Sequence, residues 1–294
     1  MKNLSLFILA LIIVSCSTGG IEQKSEDNNI PKNEDGQTVF EKSDLDSVAI
    51  SIVEKDTLVA EENVMEADSL MVQGMNIKFL KKGEGEKVME KSVVKIHFKS
   101  MLSEDKVIED SKEIIKEPVA IMQGIKMLGV EGLDIALLEL REGDKVKFNV
   151  PSELAYGNEK KGPIPANSEI FYEIEVLDVV EPQVTETGVK VYRVNKLNGD
   201  RLKEGNTVGL DYYAYAVKTN KLYDNSRKNN KSFDFEIGSN KMMPGLNDAL
   251  VYLKEGEHAY VYVPSERAFG AAGLKDMVPS GSDVVFKLHV DYKK

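Results

Sequence analysis

Polar and apolar residues alternate through Lys145-Val146-Lys147-Phe148-Asn149-Val150, which predicts a strand with one buried face. Just before it, Leu133, Ala136, Leu137 and Leu140 fall at i, i+3, i+4 and i+7, one face of an α-helix. Gly132 opens that helix, and Gly143 stands where a helix-terminating glycine belongs. Upstream, residues 74–80 and the β-branched run 93–98 read as strands, and 107–110 resumes after a turn at 103–106. Residues 81–86 (Lys-Lys-Gly-Glu-Gly-Glu) are a turn, and 119–121 lead to Gly124. Downstream, Gly162-Pro163-Ile164-Pro165 is a rigid loop and 169–179 a closing strand.

The same pattern then recurs. Val150-Pro151-Ser152-Glu153-Leu154-Ala155-Tyr156-Gly157 returns as Val263-Pro264-Ser265-Glu266-Arg267-Ala268-Phe269-Gly270. Gly132 and Gly245, Gly143 and Gly256, Pro151 and Pro264, and Tyr156 and Phe269 are each 113 residues apart. Phe98 and Tyr212, and Tyr172 and Phe286, are 114 apart. A period this long marks a duplicated domain, not a solenoid of small units. In the second copy 188–197 and 208–214 are the first strands, and Leu246, Ala249, Leu250 and Leu253 share a helical face. Residues 260–263 alternate, Val278-Pro279 stands for Ile164-Pro165, and 284–292 closes the sheet. Several antiparallel strands with one inserted helix predict an α+β fold, a sheet with one face packed on a helix. Pro182-Gln183 marks the boundary, giving domains at 74–181 and 185–294.

Composition narrows the functions. The chain has 294 residues, 42% of them hydrophobic, enough for two cores. A formal charge of −11 argues against nucleic acid as a partner, because phosphate binding needs a basic face. Residues 1–15 combine a short positive start with an apolar run too short to span a bilayer, the pattern of a secretory signal. The run ends in Ile13-Val14-Ser15-Cys16-Ser17, which resembles a bacterial lipoprotein signal. That resemblance implies lipidation at Cys16, a membrane anchor and, because Ser17 follows, an outer-membrane protein facing the periplasm. Cys16 is the one cysteine, so it makes no internal disulfide and no metal site is built on it. Residues 16–73 are polar and acidic and read as a mostly flexible linker; the apolar stretch 48–53 within it has no assigned place. His97, His258 and His289 share no ligand spacing, so no metal is expected.

The order Gly-Leu, amphipathic helix, Glu-Gly, alternating strand, Pro-Ser-Glu-x-Ala-aromatic-Gly and aliphatic-Pro resembles the FKBP-type peptidyl-prolyl cis-trans isomerases. The resemblance covers both copies. It implies a twisted antiparallel sheet of five or six strands over one helix, an apolar site between them, proline-containing polypeptides as clients, and no cofactor. Carried onto the second copy, the site is Tyr212, Tyr223, Asp224, Phe233, Met242, Met243, Leu246, Phe269, Val278 and Phe286. In the first it is Phe98, Ile108, Glu109, Val130, Leu133, Tyr156, Ile164 and Tyr172. The first copy departs from the family pattern at Ile108, which replaces an aromatic, at Glu109, which replaces an aspartate, and by an extra residue near 113–116. The second has Phe269 at the corner, without the hydroxyl that the family offers a substrate carbonyl.

Rotating an Xaa-Pro amide crosses a barrier of about 18–20 kcal/mol and needs no nucleophile. An apolar hollow that penalises the polar planar amide more than the twisted one suffices, and the candidate residues are of that kind. Taken singly, the same aromatics are also what a sheet on a helix needs to fill its core. Asp224, in Asp-Asn-Ser, is also good turn chemistry. Two readings stand: an envelope isomerase assisting exported proteins, or a peptide-binding or chaperone module that keeps the fold without turnover.

Overall fold

A computed structural model of the chain describes residues 68–126, 128–229, 232–239 and 242–293. The signal stretch, Cys16 and residues 48–53 lie outside the described residues. The first copy comprises strands Ser69–Val72 (β1), Met75–Lys81 (β2), Val93–Ser103 (β3) and Lys106–Asp110 (β4), then the single turn Ser111–Ile114 (α1). Val119–Met122 (β5), the helix Glu131–Leu137 (α2), Lys145–Val150 (β6) and Ile170–Val180 (β7) complete it. The second comprises Gln183–Val184 (β8), Lys190–Arg193 (β9), Thr207–Ala216 (β10), Lys221–Asn225 (β11) and Phe233–Glu236 (β12). Pro244–Leu250 (α3), His258–Val263 (β13) and Val284–Lys293 (β14) end it.

Each copy is a seven-stranded antiparallel sheet. The orders are β1-β2-β6-β7-β3-β4, with β5 on β3, and β8-β9-β13-β14-β10-β11, with β12 on β10. The topology is therefore the same in both, and the class is α+β as expected. One strand more than the expected five or six comes from β1, which falls inside the stretch read as mostly linker. β1 pairs with β2 through the two-residue turn Gln73-Gly74, both at positive φ (45° and 81°), a geometry that matches strand twist. Its residues are mostly exposed and barely alternate, so no apolar pattern betrayed it. β8, Gln183–Val184, likewise precedes the expected start of the second domain at 185.

The helices are shorter than their apolar stripe. α2 ends at Leu137 and α3 at Leu250, after which Leu140 and Leu253 are carried inward by i→i−3 turns and are fully buried. Gly143 and Gly256 are thus not helix terminators. At φ 90° and 79° they form the turn into β6 and β13, donating to the carbonyls of Val176 and Val290. The acid that follows each glycine ties that turn down. Asp144 accepts from the Gly83 and Arg141 amides at 2.6 and 2.7 Å. Glu257, fully buried, accepts from the Leu197 and Lys254 amides at 2.9 and 3.1 Å and pairs with Arg193.

Each helix lies on the inner face of its sheet. Leu133, Ala136, Leu137 and Leu140 meet Ile96, Val146, Ile174 and their neighbours; Leu246, Ala249, Leu250 and Leu253 meet Leu210, Val261 and Leu288. The approach is close at one glycine per helix. A Cβ on Gly245 would come within 2.3 Å of Val263 Cγ1, and one on Gly132 within 2.5 Å of Val150 Cγ1.

Both sheets belong to one compact unit, and they meet in a third core. Val93, Met122, Ile125 and Val180 of the first copy pack with Tyr192, Tyr215, Tyr260 and Val285, which project from the outer face of the second sheet. The Tyr260 hydroxyl donates to the Ala120 carbonyl at 2.7 Å. With its amide oriented to satisfy the network, Asn220 donates to the Gly124 carbonyl at 2.9 Å and to Val217 at 3.2 Å.

Gly245→Ala is expected to destabilise the second copy by about 1–3 kcal/mol, through forced displacement of β13. Urea unfolding checks this, and an unchanged midpoint would contradict the close helix–strand approach.

Candidate functional site

The second hollow is assembled from the pleat of β10 and β14. Tyr212 and Ala214 point inward from β10, as Phe286 does from β14. The Tyr212 amide donates to the Ser226 hydroxyl at 3.0 Å, and its own hydroxyl donates to Asp224 Oδ2 at 2.8 Å. Two bonds from one residue thus fix the end of β11 over the hollow. Burial, and then the bond to Asp224, push the Tyr212 hydroxyl well above the usual tyrosine range. The rings meet edge to face: Tyr212 with Phe286 at 5.7 Å and with Phe233 at 6.3 Å, and Tyr223 with Phe269 at 5.8 Å. Leu246, Val278 and Phe286 are buried and form the floor. Tyr223, Met242, Met243 and Phe269 are half-buried walls, and Phe233, 37% exposed, is the lip. The structure therefore brings the residues expected of this site into one cluster.

Two further details bear on it. The Tyr223 hydroxyl is buried and has no hydrogen-bond partner among the described residues. Burial, and then the Asp224 charge, hold it strongly protonated. The corner that carries Phe269 is pinned to α3 by Arg267, which makes a forked pair with Asp248 at 2.7–2.9 Å. In the first copy these two positions are Leu154 and Ile135, both half-buried against the core.

The first hollow keeps the frame with different walls. Phe98 replaces Tyr212, and its backbone amide donates to Ser111 Oγ at 2.9 Å. Glu109 is 3% exposed, and after burial its charge is what raises the Tyr156 hydroxyl, to about 12, and contributes to raising that of Tyr172. Tyr156 also donates to the Leu128 carbonyl at 3.3 Å. Val130, Leu133 and Ile164 are buried beneath, and Tyr172 stacks on Phe148 at 5.5 Å. Ile108 is half-buried.

One wall residue escaped the sequence reading. β5 and β12 pair with β3 and β10 in the same register, Ile96 opposite Val119 and Leu210 opposite Phe233. Val119 therefore takes the place of Phe233, and the first hollow lacks that ring. The signal was the 114-residue offset itself, applied one strand further.

The histidines are closer than their spacing implied. β13–β14 register sets His258 opposite His289, rings stacked at 4.2 Å, and burial lowers His258 to about 4. Among the described residues, ligand atoms of Asp211, His289 and Asp291 lie within 4.8 Å of one another on the outer face of the second sheet. Arg227 already pairs with Asp211, and Ser232 bridges the two aspartates at 3.1 and 2.7 Å.

Comparison with known proteins bears on this geometry. Residues 84–177 and 199–291 each match the family described as FKBP-type peptidyl-prolyl cis-trans isomerase. The chain is similar to human peptidyl-prolyl cis-trans isomerase FKBP9, 26% identical over 166 residues, and to mouse FKBP10, 27% identical over 164. Each match covers 55% of this chain and only 28% of the relative. A structure of the three FKBP domains of wheat FKBP73 covers 75% of this chain and 95% of its own, at 20% identity and a TM-score of 0.38.

A carboxyl on the helix braces the first hollow's wall. Asp134, 9% exposed, accepts from the Lys126 amide at 3.0 Å, and its counterpart Asn247 accepts from Gly238 at 2.7 Å. Burial outweighs those amide bonds and raises Asp134 from 3.8 to about 6. A carboxyl raised on folding stabilises the fold while it is protonated. The first domain is therefore expected to lose about 3 kcal/mol as pH rises from about 4 through about 6. Asp134→Asn, the residue the second copy already has, should abolish that slope. Denaturation at pH 4.5 and 7 checks it; equal slopes in both proteins would refute it.

Proposed function

The chain belongs to the FKBP-type peptidyl-prolyl cis-trans isomerase family, and from that premise we propose that its second domain isomerises Xaa-Pro bonds while its first mainly binds them. The observation that carries this is the aromatic box of Tyr212, Phe233, Phe269, Phe286 and Tyr223 around the Asp224 carboxylate. A proline ring seated there trades water for ring faces and edges. Its amide enters an apolar site, where the polar planar form loses more solvation than the twisted one. The barrier of about 18–20 kcal/mol falls by that difference. The Tyr223 hydroxyl, without a partner among the described residues, stands ready for the substrate carbonyl, supplying from the strand what Phe269 lacks at the corner. Burying it without an acceptor costs about 1–3 kcal/mol, which a bound carbonyl recovers.

The first hollow supports the weaker reading. It has Phe98, Ile108 and Val119 where the second has Tyr212, Tyr223 and Phe233, so it offers bulk without a box of rings. Proline-containing segments of exported polypeptides are the clients we propose for both. We further place the protein in the bacterial envelope as a lipoprotein acylated at Cys16, on an outer membrane facing the periplasm; the support is the sequence Ile13-Val14-Ser15-Cys16-Ser17.

In a protease-coupled proline-peptide assay, Asp224→Ala should lower kcat/KM at least about tenfold, about 1.4 kcal/mol of transition-state stabilisation. Glu109→Ala should change it less than about twofold. Equal losses would move catalysis into both hollows, and no acceleration by the parent chain would leave a binding module. Cys16→Ala should shift the protein from the membrane to the soluble fraction; unchanged fractionation would refute the anchor.

A further inference from the structure

The repeat supplies an internal control for the contact between the two copies. At the places of Val93, Met122 and Ile125, the second copy has Thr207, Glu236 and Ser239. At the places of Tyr192, Tyr215, Tyr260 and Val285, the first copy has Lys78, Met101, Lys147 and Phe171. Its outer face is a solvated lattice of ion pairs, among them Lys147 and Lys145 on Glu173 and Lys112 on Glu175. The same strand shows the difference directly. β12 is exposed along its outer side, whereas in β5 Ala120 is half-buried and Met122 is 1% exposed. In the first copy Lys78 and Lys147 thus break the face that Tyr192 and Tyr260 build in the second, and in the second copy Thr207, Glu236 and Ser239 break the surface that meets it.

We infer that the second domain is a positioning element for the hollow of the first. β5 turns Val119 and Ile121 into the first core and Ala120 and Met122 into the tyrosine face. Its backbone is held there twice, by Tyr260 at Ala120 and by Asn220 at Gly124. The chain then passes the fully buried Ile125 and becomes the wall at 128–130, where the Leu128 carbonyl meets the Tyr156 hydroxyl and Gly129 lies under its ring. Among the described residues β5 pairs with β3 alone, so without the second domain one side of this wall's support is open. The inference rests on the reading of the first hollow as a proline-binding site.

Hydrogen exchange on the full chain tests it. Met122→Glu, which installs the residue the second copy carries, should speed amide exchange over residues 120–130 about tenfold or more, with β6 and β7 unchanged. Tyr260→Phe should speed it roughly threefold, the loss of one neutral hydrogen bond. Lys147→Ala, at the counterpart position of the first sheet, should change nothing. A proline peptide titrated against the ring signals of Tyr156 should bind Met122→Glu about fivefold more weakly, with the Phe269 signals responding as in the parent chain. Unaltered exchange in both joint variants overturns the inference, as does faster exchange with unchanged peptide affinity at Tyr156. If Met122→Glu opens β6 and β7 as well, the isosteric Tyr260→Phe decides. If no peptide moves Tyr156 in the parent chain, the reading of the first hollow falls, while exchange still judges the contact.

Discussion

Everything in this molecule hangs on the two-sidedness of a pleated strand. Along β10 the side chains of Tyr212 and Ala214 face the helix, and those of Tyr213 and Tyr215 face away. Along β14 the same holds for Phe286 and Val285. A period of two gives each strand two independent surfaces, and a slip of one residue would exchange them. The inner surface is constrained in both copies by the helix it must meet. The outer surface answers to no such partner, so it was free to become an ion-pair lattice in one copy and a tyrosine face in the other.

That freedom explains what reading the chain could and could not reach. The inner residues were legible because the helix, the corner and the aromatic positions recur at 113 or 114 residues, and the structure brings them together. The helix lengths were not, since Leu140 and Leu253 keep the helical spacing after the helix has tightened into i→i−3 turns. Nor was β1, whose Ser-Leu-Met-Val shows little alternation and depends on a two-residue turn for its partner. Ser111, Ser226, Asp134 and Asn247 are polar residues that hold backbone amides of the site, and nothing in composition separates them from surface polar residues. The contact between the copies is a tertiary event. Tyr192, Tyr215 and Tyr260 belong to three strands, and only sheet order sets them side by side.

Divergence inside the hollows follows a simple exchange. The first copy has its hydroxyl on the corner, at Tyr156, beside an aliphatic Ile108; the second has it on the strand, at Tyr223, against a plain ring at Phe269. A similar exchange separates Phe98 and Tyr172 from Tyr212 and Phe286. Volume and apolar character survive while the polar handle moves. The acid moves with it: Asp224 is held by Tyr212, whereas the longer Glu109 lies near Tyr156 and Tyr172.

The one-sidedness of the Tyr260 contact has a consequence for assembly. A unit with a sticky end and a matching sticky face is a monomer for an open, head-to-tail fibre, because such contacts do not close on themselves. Duplicating that unit unchanged would leave a free copy of each surface on every molecule. Here Thr207, Glu236 and Ser239 have replaced the sticky end in the second domain, and Lys147 stands in the middle of the first domain's face. Both free counterparts are therefore blunted against a further head-to-tail contact of this kind.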